Sequence, residues 1–151
     1  MCQRIIVPRL QIGGISGRQL QEKAVNKYPN IARHFLPGQV PQIETVELVG
    51  LRCCKYKLTG VVPCKEFFDL ALADGFDLCP SYLPFHYVIQ EGLGNEECFV
   101  FASESRRAQQ PGQERSVSNV FLAVHHFHGF DYAMNVPYGS GIEFAFIRRL
   151  Q

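Results

Sequence analysis

The chain has 151 residues, 46% of them hydrophobic and 19% charged, with a formal net charge of +1. That length suits one domain, so residues 1–151 are read as a single unit, and the composition excludes a natively disordered chain. The near-zero charge excludes a global field that would draw the protein onto nucleic acid or anionic lipid and leaves room only for local patches.

The opening string MCQRIIVPRLQIGG holds an apolar stretch broken by Pro8 and Arg9, too short for a signal-peptide core or a membrane span. A soluble, cytoplasmic protein is therefore expected. In a reducing cytosol Cys2, Cys53, Cys54, Cys64, Cys79 and Cys98 are expected to be thiols. Cys53 and Cys54 would point to opposite faces of a strand, and no CxxC pair offers a structural zinc site.

Ser16-Gly17-Arg18-Gln19 has the form of a capping box, and Leu20, Ala24, Val25 and Tyr28 follow as one apolar stripe, so a helix is expected up to Pro29. Asn30 is placed to cap a second short helix over residues 31–36, closed by Pro37-Gly38. Residues 43–58 read as a central strand, with Val46 and Leu48 on one face, Val49 and Leu51 on the other, and Gly50 marking a bulge or bend. Pro63 opens a helix carrying Cys64, Phe67, Phe68 and Ala71, which Gly75 ends with help from Phe76 and Leu78.

After Cys79-Pro80 the pattern reads as β structure. Residues 85–90 alternate and residues 97–103 return as a second strand, which makes a hairpin. Residues 105–116 are polar, contain Pro111-Gly112 and read as an exposed loop. Residues 117–128 and 141–149 form the last two strands, with Ile142, Phe144 and Phe146 on one face of the latter. The whole is an α+β domain: N-terminal helices and one central helix packed on one face of a mostly antiparallel sheet.

Four strings carry a resemblance to a family. They are IARHFL, ETVELVGLRC, LADGFDLCP and EFAFIRR, in order and at similar spacings across roughly residues 17–149. In these the chain resembles a family of small uncharacterised bacterial and phage-borne proteins. The resemblance implies the architecture and no particular activity. In that family the Leu-Cys-Pro join leads into an aromatic-proline turn and a tryptophan; here the segment is SYLPFHYVIQEGLGNEECFVFAS and the chain has no tryptophan.

The string His125-His126-Phe127-His128-Gly129-Phe130-Asp131 is the most unusual. On a strand, His126 and His128 share a face at a spacing that chelates a metal, and His86 or Cys79 would supply a third ligand. A second arrangement sets Cys79 as thiolate, His126 or His128 as base and Asp131 or Asn135 as orienting group, in the chain order of papain-like enzymes. Against it, Cys79 follows a helix carboxyl end, where nothing activates a thiol. Arg106, Arg107 and Arg115, with Arg148 and Arg149, offer one basic patch, but Glu104 and Glu114 lie among the first three, and no RNA- or DNA-binding motif accompanies them. Gly13-Gly14 and Gly139-Ser140-Gly141 read as turns. Tyr82, Phe85, Tyr87, Phe127, Phe130, Tyr132 and Tyr138 gather around the expected strand ends, where an exposed set would mark a groove.

These features favour a non-enzymatic binding or protein-interaction module whose binding residues are Cys79, Tyr82, His86, His126, His128 and Asp131. No catalytic set, resident metal or cofactor is assigned. The expected partner is a protein or a small molecule; nucleic acid is disfavoured, no membrane is involved, and the oligomeric state is open. The alternative is a small hydrolase-like enzyme using a metal or a thiolate near Cys79, His86, His126 and His128.

Overall fold

The structure is a computed structural model that describes residues 2–27, 42–80, 82–92, 99–102, 106–107, 119–125, 129–134, 138–139 and 142–150. In chain order these form β1 (Gln3–Ile12), α1 (Gly17–Lys27), β2 (Glu44–Leu51), a 3-10 turn (Cys53–Tyr56), β3 (Val61–Val62), α2 (Cys64–Ala73) and α3 (Leu83–Glu91). Then follow β4 (Phe99–Phe101), β5 (Arg106–Arg107), β6 (Asn119–His125), β7 (Gly129–Met134), β8 (Tyr138–Gly139) and β9 (Phe144–Arg149).

The main sheet runs β1, β2, β9, β4, β6, with β5 continuing the line of β4 along one side of β6 and β7 pairing its other side. β4 runs parallel to β9 and the other pairings are antiparallel; β3 and β8 form a separate two-stranded ladder. The chain is thus an α+β domain on a mostly antiparallel sheet.

β2 and β9 are buried on both faces, and each face has its own core. Val46 and Leu48 with Ala145 and Ile147 pack against Leu20 and Ala24 of α1 and Leu83, Phe85 and Val88 of α3. On the opposite parity, Val49, Leu51, Phe144 and Phe146 pack against Phe67, Phe68 and Ala71 of α2. Helices therefore flank the sheet on both sides, not on one as the sequence suggested. An apolar central strand alternates into two cores, and each needs a cover.

Local signals explain the ends of α1 and α2. The Ser16 hydroxyl accepts from the Gln19 amide at 3.2 Å, completing one half of the expected capping box. At the far end of α2 the Gly75 amide bonds to the Leu72 carbonyl and the Phe76 amide to that of Ala71, the latter requiring the left-handed φ of 95° at Gly75. Phe76 is buried and closes this terminus as expected. Phe68 then meets Phe144 and Phe146 edge-on, at ring separations of 5.3 and 5.4 Å.

Elsewhere the structure corrects the sequence reading. Residues 85–90 are not a strand but most of α3, with Pro84 in its first turn and every residue from Leu83 to Val88 buried. A helix covered all round loses the polar stripe that gives it a period, and a short apolar run then passes for a strand. β4 does follow, but it pairs β9 and β6 rather than residues 85–90. β1 was not anticipated at all: Pro8 and two register shifts interrupt it, features tolerated because among the described residues β1 is an edge strand that pairs only β2.

β2 stops at Leu51, and Cys53–Tyr56 turn into a 3-10 helix ended by Lys57 at φ 60°. Gly50 is no bulge, being in register with Arg4 on one side and Ala145 on the other. Arg106 and Arg107 are paired with β6 instead of looping out, and β7, left unassigned by the sequence, pairs β6 from Val120–Met134 to His125–Gly129. The expected helix over residues 31–36 and most of the loop over residues 105–116 lie outside the described residues. No described helix is long and apolar enough to cross a membrane.

The six-thiol reading fails at two positions. Cys2 and Cys54 form a disulfide, with Cα atoms 5.5 Å apart and 52 residues between them in sequence, whereas Cys53 and Cys79 are free and buried. The partner of Cys54 was hidden because β1, which brings Cys2 to the turn after β2, was itself unread.

Candidate functional site

The approach to α3 is built from main-chain bonds. After Gly75 the chain bridges β9, the Asp77 amide donating to the Ile147 carbonyl at 2.8 Å and the Asp77 carbonyl accepting from the Ile147 amide at 3.0 Å. Two residues on, the Cys79 amide donates to the Ala102 carbonyl at 2.7 Å. This threading places the Cys79 thiol under the sheet, where Sγ donates to the Ala145 carbonyl at 3.2 Å. Burial pushes this thiol well above its ordinary range, so it stays protonated at neutral pH.

Tyr82 precedes α3 and lies edge-on to His86, ring centroids 6.1 Å apart. His86 is only 8% exposed, and its Nε2 accepts the Gly13 amide at 3.0 Å, just beyond β1. Accepting there puts the proton of the neutral ring on Nδ1. Burial lowers its pKa to about 4, so the ring is neutral at pH 7. The Gly13-Gly14 turn, read as such from sequence, holds that amide in place with φ values of 88° and 79°. α3 is tied further by Gln90, whose Nε2 donates to the Gln11 carbonyl at 2.7 Å, and by Lys27, whose Nζ donates to the Ile89 carbonyl at 2.8 Å.

Three of the expected binding residues therefore come together. Cys79 and Tyr82 belong to the core cluster under α1 and α3, and His86 stands beside Tyr82. They sit in and before a buried helix, not at exposed strand ends, and Phe85 and Tyr87 are buried with them. His126 and His128 lie outside the described residues, and Asp131 falls in β7 opposite Ala123. Among the described residues no group of three or more His, Cys, Asp or Glu side chains is placed to hold a metal ion.

A second constellation was not anticipated from the sequence. Arg4 donates through Nε to Glu143 Oε2 at 2.8 Å and through Nη2 to Oε1 at 2.6 Å, a two-point ion pair on a carboxylate that is only 5% exposed. Gly50 lies between them: a Cβ there would stand 2.6 Å from Glu143 Cδ, so only glycine leaves room for the carboxylate. The signals were present as a lone Gly in an apolar strand and a Glu opening the run EFAFI, but their meeting depends on the registers of three strands.

On the surface Tyr56 donates to Asp74 Oδ2 at 3.0 Å while Lys55 Nζ stands 3.3 Å from the same oxygen and 5.0 Å from the Phe76 ring centre. The Tyr56 bond and then Lys55 hold the Asp74 carboxyl below its usual range. Arg148 is paired with Glu47, and Arg149 with Asp77 at 2.7 Å and Glu44 at 3.3 Å. Both guanidiniums are paired with carboxylates of neighbouring strands and joins, which offsets part of the charge of the basic patch considered above.

Compared with known proteins, the chain matches no family model, no curated sequence and no solved structure.

Proposed function

We propose that the chain is a non-enzymatic binding or interaction module, with a protein or a small molecule as its partner. The observation that supports this reading is the fate of Cys79 and His86, each bonded to a main-chain group within the fold. A protonated thiol shut away from solvent is no nucleophile, and an imidazole whose Nε2 already takes an amide does not offer that atom to a metal. Membership of the small bacterial and phage-borne family belongs to the same proposal and is supported by the four strings. So does cytoplasmic residence, where the Cys2–Cys54 bond is an exception in a compartment whose glutathione keeps most thiols reduced.

Two measurements on untagged protein test the reading. Alkylation of Cys79 in the native state is expected to run at least about a hundredfold slower than that of a model peptide thiol. Metal analysis is expected to find well under one equivalent of zinc. Peptide-like alkylation, or an equimolar metal lost on changing His126 and His128 to Ala, would overturn the proposal in favour of a metal- or thiolate-using enzyme.

A further inference from the structure

The first residues of β1 are a short, separately fastened segment. Gln3, Arg4 and Ile5 are in register with Leu51, Gly50 and Val49, and the register slips immediately afterwards, between Ile5 and Val7. A bulge of this kind breaks the ladder locally and lets the residues on either side open independently. Ahead of Gln3 the segment is held by the Cys2–Cys54 disulfide and by the Arg52 amide, which donates to the Cys2 carbonyl at 2.9 Å. In its middle stands Arg4, whose guanidinium covers the buried carboxylate of Glu143. Cys54 is exposed and Cys2 half-buried, so a thiol reductant has access to the bond.

We propose that the Cys2–Cys54 bond is a redox latch that keeps the head of β1 on β2 and so keeps Arg4 seated on Glu143. Reduction by a dithiol breaks the Sγ–Sγ bond. Two electrons and two protons pass to Cys2 and Cys54, and the dithiol leaves as its own disulfide. The released segment then frays as far as the bulge, and each excursion carries Arg4 away from a carboxylate that the fold otherwise hides. The rest of β1 stays paired, because Val7, Leu10 and Ile12 are in the core under α1 and α3. This latch operates whatever the chain binds.

Amide hydrogen exchange of the full chain, followed by NMR before and after reduction with dithiothreitol, tests the proposal. On reduction the Arg52 amide and the Arg4 Nε–H are expected to exchange about tenfold faster or more, while the Phe76 amide at the end of α2 changes less than about twofold. Cys54→Ser is expected to reproduce the reduced pattern, and the reduced wild-type chain gives the same readout should that variant fail to fold. The proposal is overturned if Arg52 and Arg4 keep their protection on reduction, if all three signals accelerate equally, or if Cys2 and Cys54 alkylate in air-oxidised protein without added reductant.

Discussion

The two faces of the sheet are stabilised in different ways. Under α2 the core is a set of phenylalanine rings, Phe68 edge-on to Phe144 and Phe146, and Phe67 edge-on to Phe146 and tilted to Phe144. Under α1 and α3 the apolar residues share their space with a thiol, an imidazole and a carboxylate, each satisfied by one specific partner: Ala145 for Cys79, Gly13 for His86 and Arg4 for Glu143. Dispersion and burial do not depend on protons or electrons, whereas a buried polar group is stable only while its partner and its protonation state are right. The first face should therefore be indifferent to conditions, and the second should respond to pH.

Variants separate the two faces. Phe67→Ala, which opens a cavity in the ring cluster, is expected to cost about 4 kcal/mol in urea unfolding, and equally at pH 7 and pH 4.5. A cost that changes strongly with pH would break the contrast. On the other face Arg4→Met leaves Glu143 without the guanidinium that covers it, at a cost of about 3 kcal/mol; the low end of the range applies because Arg4 itself is partly exposed. A loss below about 1 kcal/mol would show that the ion pair is dispensable.

A smaller effect comes from His86 alone. Its folded pKa of about 4 lies below the ordinary 6.5, so its contribution is complete above pH 6.5 and is lost as pH falls towards 4. Wild-type stability should drop by about 2 to 3 kcal/mol over that window through this group, the full shift being discounted because the ring keeps some solvent contact. His86→Gln, which keeps an acceptor for the Gly13 amide but does not titrate, should remove that share of the slope. An unchanged slope would assign the pH response elsewhere. The smallest effect is expected at the start of α1, where Ser16→Ala should cost about 1 kcal/mol by removing the cap on the Gln19 amide.

What could be read from sequence was what depends on neighbours in the chain. The Ser16 cap, the Pro63-to-Gly75 helix, the two-faced strand β2 and the alternation of Phe144 and Phe146 are all local signals, and each recurs in the structure. What was illegible depends on registers between distant strands. Arg4 meets Glu143, and Cys2 meets Cys54, only because β1 lies on β2, and the strand itself was masked by Pro8 and its bulges. α3 was misread because its burial on all sides erased the period on which a helix is recognised. Cys79, Tyr82 and His86 stand in and just before that misread helix, so the buried environment that decides what they do was not legible either.

The central claim is that His86 is a neutral structural acceptor, and an NMR titration of its ring nitrogens tests this most directly. The account predicts an Nδ1–H ring whose Nε2 accepts a hydrogen bond and which takes up a proton only near pH 4. A His86 that titrates near its ordinary 6.5, with Nε2 protonated in the neutral form, would contradict it.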